Sequence, residues 1–198
     1  MAAGARLSAN DEVNETLHRA IEANPQGRSA EVVGPLRRAT MIEPENPVTH
    51  LIYGQALMPL GRHEEALEAF GRAAVLRPET PQVHEFRAMA LFNLGRFEDS
   101  LRPLGRLLEI DPEYPRAQYH MGLALAKLGR HAEAIAAYDR AEEHARAARG
   151  RPAMPGPEHP TDGEIAFERS ASEVALGRAG GAGRGPPRRS LPPRWSPP

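Results

Sequence analysis

No cysteine occurs among the 198 residues. That excludes a disulfide framework and any thiolate metal site, and leaves the chain indifferent to redox compartment. Lysine is almost missing too: Lys127 is the single one, so arginine carries nearly all the positive charge. Net charge is only -1, which gives no general attraction to nucleic acid or to an anionic membrane. Nowhere do about eighteen apolar residues run together, so no transmembrane helix is expected. Residues 1–15 contain no apolar run that could form a signal-peptide core. A cytoplasmic location is the expectation. The wealth of Ala, Gly, Pro and Arg matches the coding of a GC-rich bacterial genome. Catalytic signatures are missing as well: there is no Gly-rich phosphate loop, no H-E-x-x-H and no G-x-S-x-G. Neither enzyme activity nor a cofactor is expected.

What is present is a repeat. With 40% apolar and 26% charged residues, the chain has room for one domain plus a tail. Gly27-Arg28, Gly61-Arg62, Gly95-Arg96 and Gly129-Arg130 recur every 34 residues, and Pro44, Pro78 and Pro112 follow at matching places. A fixed period of this size with two helical patterns in each copy marks a helical repeat array. The copies are 13–46, 47–80, 81–114 and 115–148. In the first, Val13, Leu17, Ala20 and Ile21 recur at helical spacing over Glu12–Ala23, and Val32, Val33, Leu36 and Ala39 follow a Ser29 cap. In the second, Asn46 is the N-cap and Pro47 the first helical residue, where a missing N–H is harmless. The third repeats this with Thr80 and Pro81, and the fourth begins at Pro115. Lacking a closing proline, the fourth repeat's second helix is expected to run to about Arg149. Pro35 and Pro103 lie inside second helices, where a bend is expected at each.

The predicted fold is all-α: an α-solenoid of four helix-turn-helix units with a disordered Pro/Gly/Arg-rich C-terminal tail. Around the 13–148 array, residues 1–12 are expected to be flexible and 149–161 to form a Pro-rich linker. Residues 162–177 are read as a short capping helix, because arrays need a polar end, and 178–198 as a disordered basic tail.

Small residues at Gly54, Ala88 and Gly122, and at Ala66, Ala73, Ala134 and Ala141, alternate with large ones at Phe70, Leu104 and Tyr138. With the period and the Gly-Arg turns, this pattern resembles the tetratricopeptide repeat family over residues 13–148. The family's usual tryptophan is replaced by Thr16, His50, His84 and Gln118. The resemblance implies a concave groove, lined by the first helices, that takes a peptide or helix from a partner protein. Its groove positions here are Asn14, Leu17, Ile21, Val48, Leu51, Gln55, Met58, Gln82, Glu85, Met89, Phe92, Asn93, Arg116, Tyr119, Leu123 and Lys127. The partner-binding set expected to matter most is Gln55, Met58, Gln82, Glu85, Met89, Phe92, Asn93, Arg116, Tyr119 and Lys127. The family's carboxylate clamp is not matched. Shifted by one repeat, its places hold Arg116 and His120, one cation and one titratable group, so anion capture by Arg116 is an expectation.

Other signals yield less. Equivalent histidines in neighbouring repeats, such as His50 and His84, stand about a helix diameter apart, too far to share a zinc ion. Glu64-Glu65 and Glu98-Asp99 fall in the first turns of second helices, where acids suit the helix dipole. The arginines from Arg178 to Arg194 lack interleaved aromatics for base stacking, so nucleic acid is not an expected partner. These readings together predict a non-enzymatic interaction scaffold binding a protein or peptide, its oligomeric state open. An alternative is the recruiting arm of a larger bacterial enzyme, for example a transferase, whose catalytic domain lies outside this chain.

Overall fold

The structure, a computed structural model, describes residues 8–114, 116–148 and 160–177. Its helices are α1 (Ala9–Ala23), α2 (Ser29–Ile42), α3 (Pro47–Leu57), α4 (His63–Leu76), α5 (Pro81–Asn93), α6 (Phe97–Ile110), α7 (Ala117–Lys127), α8 (His131–Ala148) and α9 (Asp162–Ala175). Among the described residues there is no strand, and no helix is long and apolar enough to cross a membrane. The array is a solenoid of helical repeats. The chain divides into two compact bodies, with the boundary inside α5 between Ala90 and Leu91.

One turn is used four times. Gly27, Gly61, Gly95 and Gly129 have φ of 70°, 72°, 74° and 73°, a left-handed conformation that a Cβ disfavours. The following arginine then donates its backbone N–H to the carbonyl five residues back. These bonds are Arg28 to Ala23 at 3.0 Å, Arg62 to Leu57 at 3.2 Å, and Arg96 to Leu91 and Arg130 to Leu125 at 2.9 Å. They close the first helix in the manner of a Schellman motif. The same arginine's side chain then reaches the acid three residues on: Arg62–Glu65 at 2.7 Å, Arg96–Asp99 at 2.6 Å and Arg130–Glu133 at 2.7 Å. Carboxylates in the first turns of these second helices are thus paired with the turn arginine as well as with the helix dipole.

Caps fix the starts. Asn46 accepts from the N–H groups of Val48 at 3.0 Å and Thr49 at 3.4 Å. Ser8 and Asp11 form a reciprocal capping box, so the chain is helical from Ala9. This corrects the flexible start expected through residue 12. Residues 1–7, Pro115, the linker segment 149–159 and the tail 178–198 lie outside the described residues.

Each proline inside a second helix is carried through. Pro35 and Pro103 remove one main-chain bond apiece, and α2 and α6 continue past them. Both helices have 14 residues, as α4 does, while α8, the second helix of the repeat without a closing proline, has 18.

In the N-terminal body, Ala20, Val32, Leu36, Ile52, Leu57 and Phe70 belong to one buried cluster packed among α1 to α4. In the C-terminal body, Leu104, Leu107, Ala134, Tyr138 and Ile165 are fully buried. Ile165 belongs to α9, which packs chiefly on α8 and touches α7. Thr161 and Glu164 cap α9 by a second reciprocal box, and Arg169 ties it to Asp139 of α8 at 2.6 Å.

Candidate functional site: the first-helix face and a second-helix cleft

In the N-terminal body the exposed apolar side chains of the first helices are Ile21 of α1, 57% exposed, and Val48 of α3, 45% exposed. The two helices touch, and Leu17 and Leu51 are half-buried against the same core cluster. Gln55 is half-buried, and Gln82 is exposed at the start of α5. The other expected groove residues of this body are interior. Met58 and Met89 are members of the buried cluster, and Glu85 is buried. A partner resting on this face would not reach them without repacking the core, which removes them as direct contacts.

In the C-terminal body, Phe92 and Asn93 are half-buried, with the Phe92 ring edge-on to Phe97 at 5.0 Å. Lys127 is exposed and Arg116 half-buried. Tyr119, expected on the groove surface, is buried, its ring centroid 6.1 Å from that of Tyr138. Burial, with the Glu168 and Glu164 carboxylates of α9 adding to it, pushes its phenol well above the ordinary range. Burial also raises the Glu168 carboxyl, against the pull of Lys127. α9 therefore places its acids near Tyr119 and Lys127, residues read as groove surface.

Of the two shifted clamp places, that of His120 offers no charge beside Arg116. His120 is fully enclosed, and burial together with the Arg116 charge holds its pKa well below the usual value. It is a neutral imidazole at ordinary pH and supplies no cation.

His50 and His84 stand in the tryptophan places, and both act as ties. Their Nε2 atoms lie 2.8 Å from the Pro44 carbonyl oxygen and 2.6 Å from that of Pro78, linking the start of a first helix to the closing proline before it. Among the described residues no group of three or more His, Asp or Glu is arranged to hold a metal ion.

His50 and His84 also line a feature outside the expected site. A cleft of about 980 Å³ opens between α2 and α4, lined by Arg37, Met41, Glu68, Arg72 and Val75, with Tyr53 of α3 among its walls. Met41 is 76% exposed and Val75 79% exposed. One signal could have found them: in the third and fourth repeats the same place is held by Glu109 and Glu143, as a solvated helix face requires.

A tetratricopeptide repeat family model matches residues 54–115 and 87–152. Among curated proteins, none matches the chain in sequence. Solved structures resemble it in fold. MamA from Desulfovibrio magneticus RS-1 superposes with a TM-score of 0.72 at 18% identity, covering 86% of this chain and 88% of that one. Pseudomonas aeruginosa PilF gives 0.68 at 16% identity, covering 86% and 71%. The second repeat domain of human RPAP3, solved with an HSP70 peptide, gives 0.56 at 14% identity, covering 59% and 98%. At such identities the likeness concerns the fold alone. With half its length matched by the family model, and the period, turns and small-to-large pairing all in place, the chain belongs to the tetratricopeptide repeat family.

Proposed function

We propose that this protein is an interaction scaffold that binds a peptide or helix of a partner protein on the first-helix face of its N-terminal body. The observation that carries the reading is the exposure of Ile21 and Val48 on touching first helices whose Leu17 and Leu51 are half-buried. Apolar side chains held open on a rigid face favour association, because the receptor spends little ordering entropy on binding. Gln55 and Gln82 supply side-chain amides that can bond a partner's backbone. Peptide-bound structures such as that of the human RPAP3 domain support the use of the fold for this purpose.

The test compares partners recovered by the parent chain with those recovered by an Ile21→Glu, Val48→Glu variant. Both positions are exposed, so the variant should fold, which its circular dichroism checks. Loss of the partners is expected. Recovery of the same set at the same level would show that this face does not bind.

A further inference from the structure

A row of arginines on the second helices changes its neighbour halfway along the chain. Arg38, Arg72, Arg106 and Arg140 occupy the same place in the four repeats. Three residues later the third and fourth repeats have Glu109 and Glu143, and Arg106 donates to Glu109 at 2.9 Å. The first and second repeats have Met41 and Val75 there instead, both more than three-quarters exposed. Where the third repeat has an acid paired with its arginine, the first two have an apolar side chain facing water.

Met41 and Val75 share one cleft with Arg37 and Arg72. Glu65, also on the cleft wall, is engaged by Arg62 through two bonds of 2.7 Å. Its carboxyl is held low by Arg62 first and by Arg37 as a lesser contribution. His84, also in the cleft lining, is held by the Pro78 carbonyl. Arginines beside exposed apolar groups present a surface with two demands: carboxylates for the guanidinium forks, and an apolar side chain between them.

We propose that this cleft is a second docking surface and that its occupant is an acidic segment of another protein, carrying an apolar side chain flanked by carboxylates. The proposal does not depend on the first-helix reading, since Met41 and Val75 belong to α2 and α4. Charge complementarity selects the occupant. A nucleic acid would bring a continuous line of phosphates against Glu65 and Glu68, and Met41 and Val75 offer no ring on which to stack a base. A peptide can place its acids opposite Arg37 and Arg72 alone.

The probe is a fluorescein-labelled peptide of about twelve residues, serines and glycines carrying two leucines four apart that are each flanked by a glutamate, read by anisotropy at about 0.15 M salt. The full chain is expected to bind it at least about tenfold more tightly than the same peptide with serines for leucines. A Met41→Glu, Val75→Glu variant, which installs the residues of the third and fourth repeats, is expected to weaken binding by at least about tenfold. Arg72→Gln is expected to weaken it and to flatten its salt dependence, while Ile21→Glu with Val48→Glu leaves it unchanged. Equal binding by parent and Met41→Glu, Val75→Glu variant overturns the proposal, as does failure of the parent to bind the peptide. Loss of binding in the Ile21→Glu, Val48→Glu variant would move the peptide to the first-helix face. Preference for single-stranded DNA of similar length would make the ligand a nucleic acid. Self-association of the parent abolished by Met41→Glu with Val75→Glu would make it a second copy. Each of these last three outcomes also refutes the proposal.

Discussion

A methyl group added at Gly54 would sit 2.8 Å from Cζ of Phe70 and 2.7 Å from its Cδ1. The same relation holds in the fourth repeat, where a methyl at Gly122 would sit 2.8 Å from Cζ of Tyr138. The first and third repeats have Ala20 with Leu36 and Ala88 with Leu104 at these two places, all fully buried. Glycine accompanies the aromatic and alanine accompanies leucine, so the pair divides a fixed volume, as close packing demands.

Gly54→Ala should therefore destabilise the protein. Alanine gains about 1 kcal/mol of helix propensity, but overpacking against a fully buried ring costs about 1–3 kcal/mol, so the net sign is a loss. Adding Phe70→Leu should recover most of it, because the double variant reproduces the Ala20–Leu36 pair. Urea unfolding of the two single variants and the double measures the coupling; simple additivity would refute the shared-volume account. Gly71 is the control. A methyl there meets nothing within 4 Å, so Gly71→Ala should stabilise by about 0.5–1 kcal/mol.

Tyr138 has a buried hydroxyl without a hydrogen-bond partner. Tyr138→Phe installs the side chain that the second repeat already uses at Phe70. Removing a lone buried hydroxyl should leave stability unchanged or raise it by about 1 kcal/mol. A loss above that size in thermal unfolding would mean that the hydroxyl is satisfied in solution.

His120 sets a pH dependence. Its folded pKa is depressed by burial and by Arg116, so its contribution is fully present above the unfolded value of about 6.5. It is lost as pH falls from there toward the folded pKa, because the unfolded chain takes up a proton that the folded one refuses. Chemical denaturation at pH 7.5 and 5.5 should show a smaller drop in stability for His120→Gln than for the parent. An identical drop in both would assign the acid sensitivity to other groups.

Ile165 is the buried apolar anchor of α9. Ile165→Ala should cost about 2–5 kcal/mol of the docking of that helix on α8. Hydrogen exchange should quicken in α9, with Arg169 freed from Asp139, while α3 and α4 keep the protection of the parent. Uniform quickening along the chain would show instead that α9 is integral to the global stability of both bodies.

Much of the fold is legible without coordinates. Gly-Arg every 34 residues marks the turns, because only glycine takes the left-handed φ cheaply and the arginine behind it closes the helix end. Asn46-Pro47 and the small positions at Gly54 and Gly122 mark where helices begin and where they approach. Such features are local, and the sequence shows them wherever the chain repeats them. The start at Ala9 was hidden by a polar stretch, since the Ser8–Asp11 box needs no apolar residue to act.

The candidate site was read less well, for a physical reason. Register says which way a side chain leaves its helix, but burial depends on what else packs there. Met58 and Met89 stand at groove positions of the repeat, yet fall inside the core, and Tyr119 lies beside the acids of a helix that follows the array. His120 could be placed in a helix from its neighbours, though only enclosure beside Arg116 keeps it neutral. The sequence by itself determined the repeat, its turns and its alternation of small and large positions, because each recurs with the 34-residue period. Tertiary structure decided which residues of the first helices stay open to a partner, and that Met41 and Val75 share one cleft with arginines, because exposure belongs to the assembled surface.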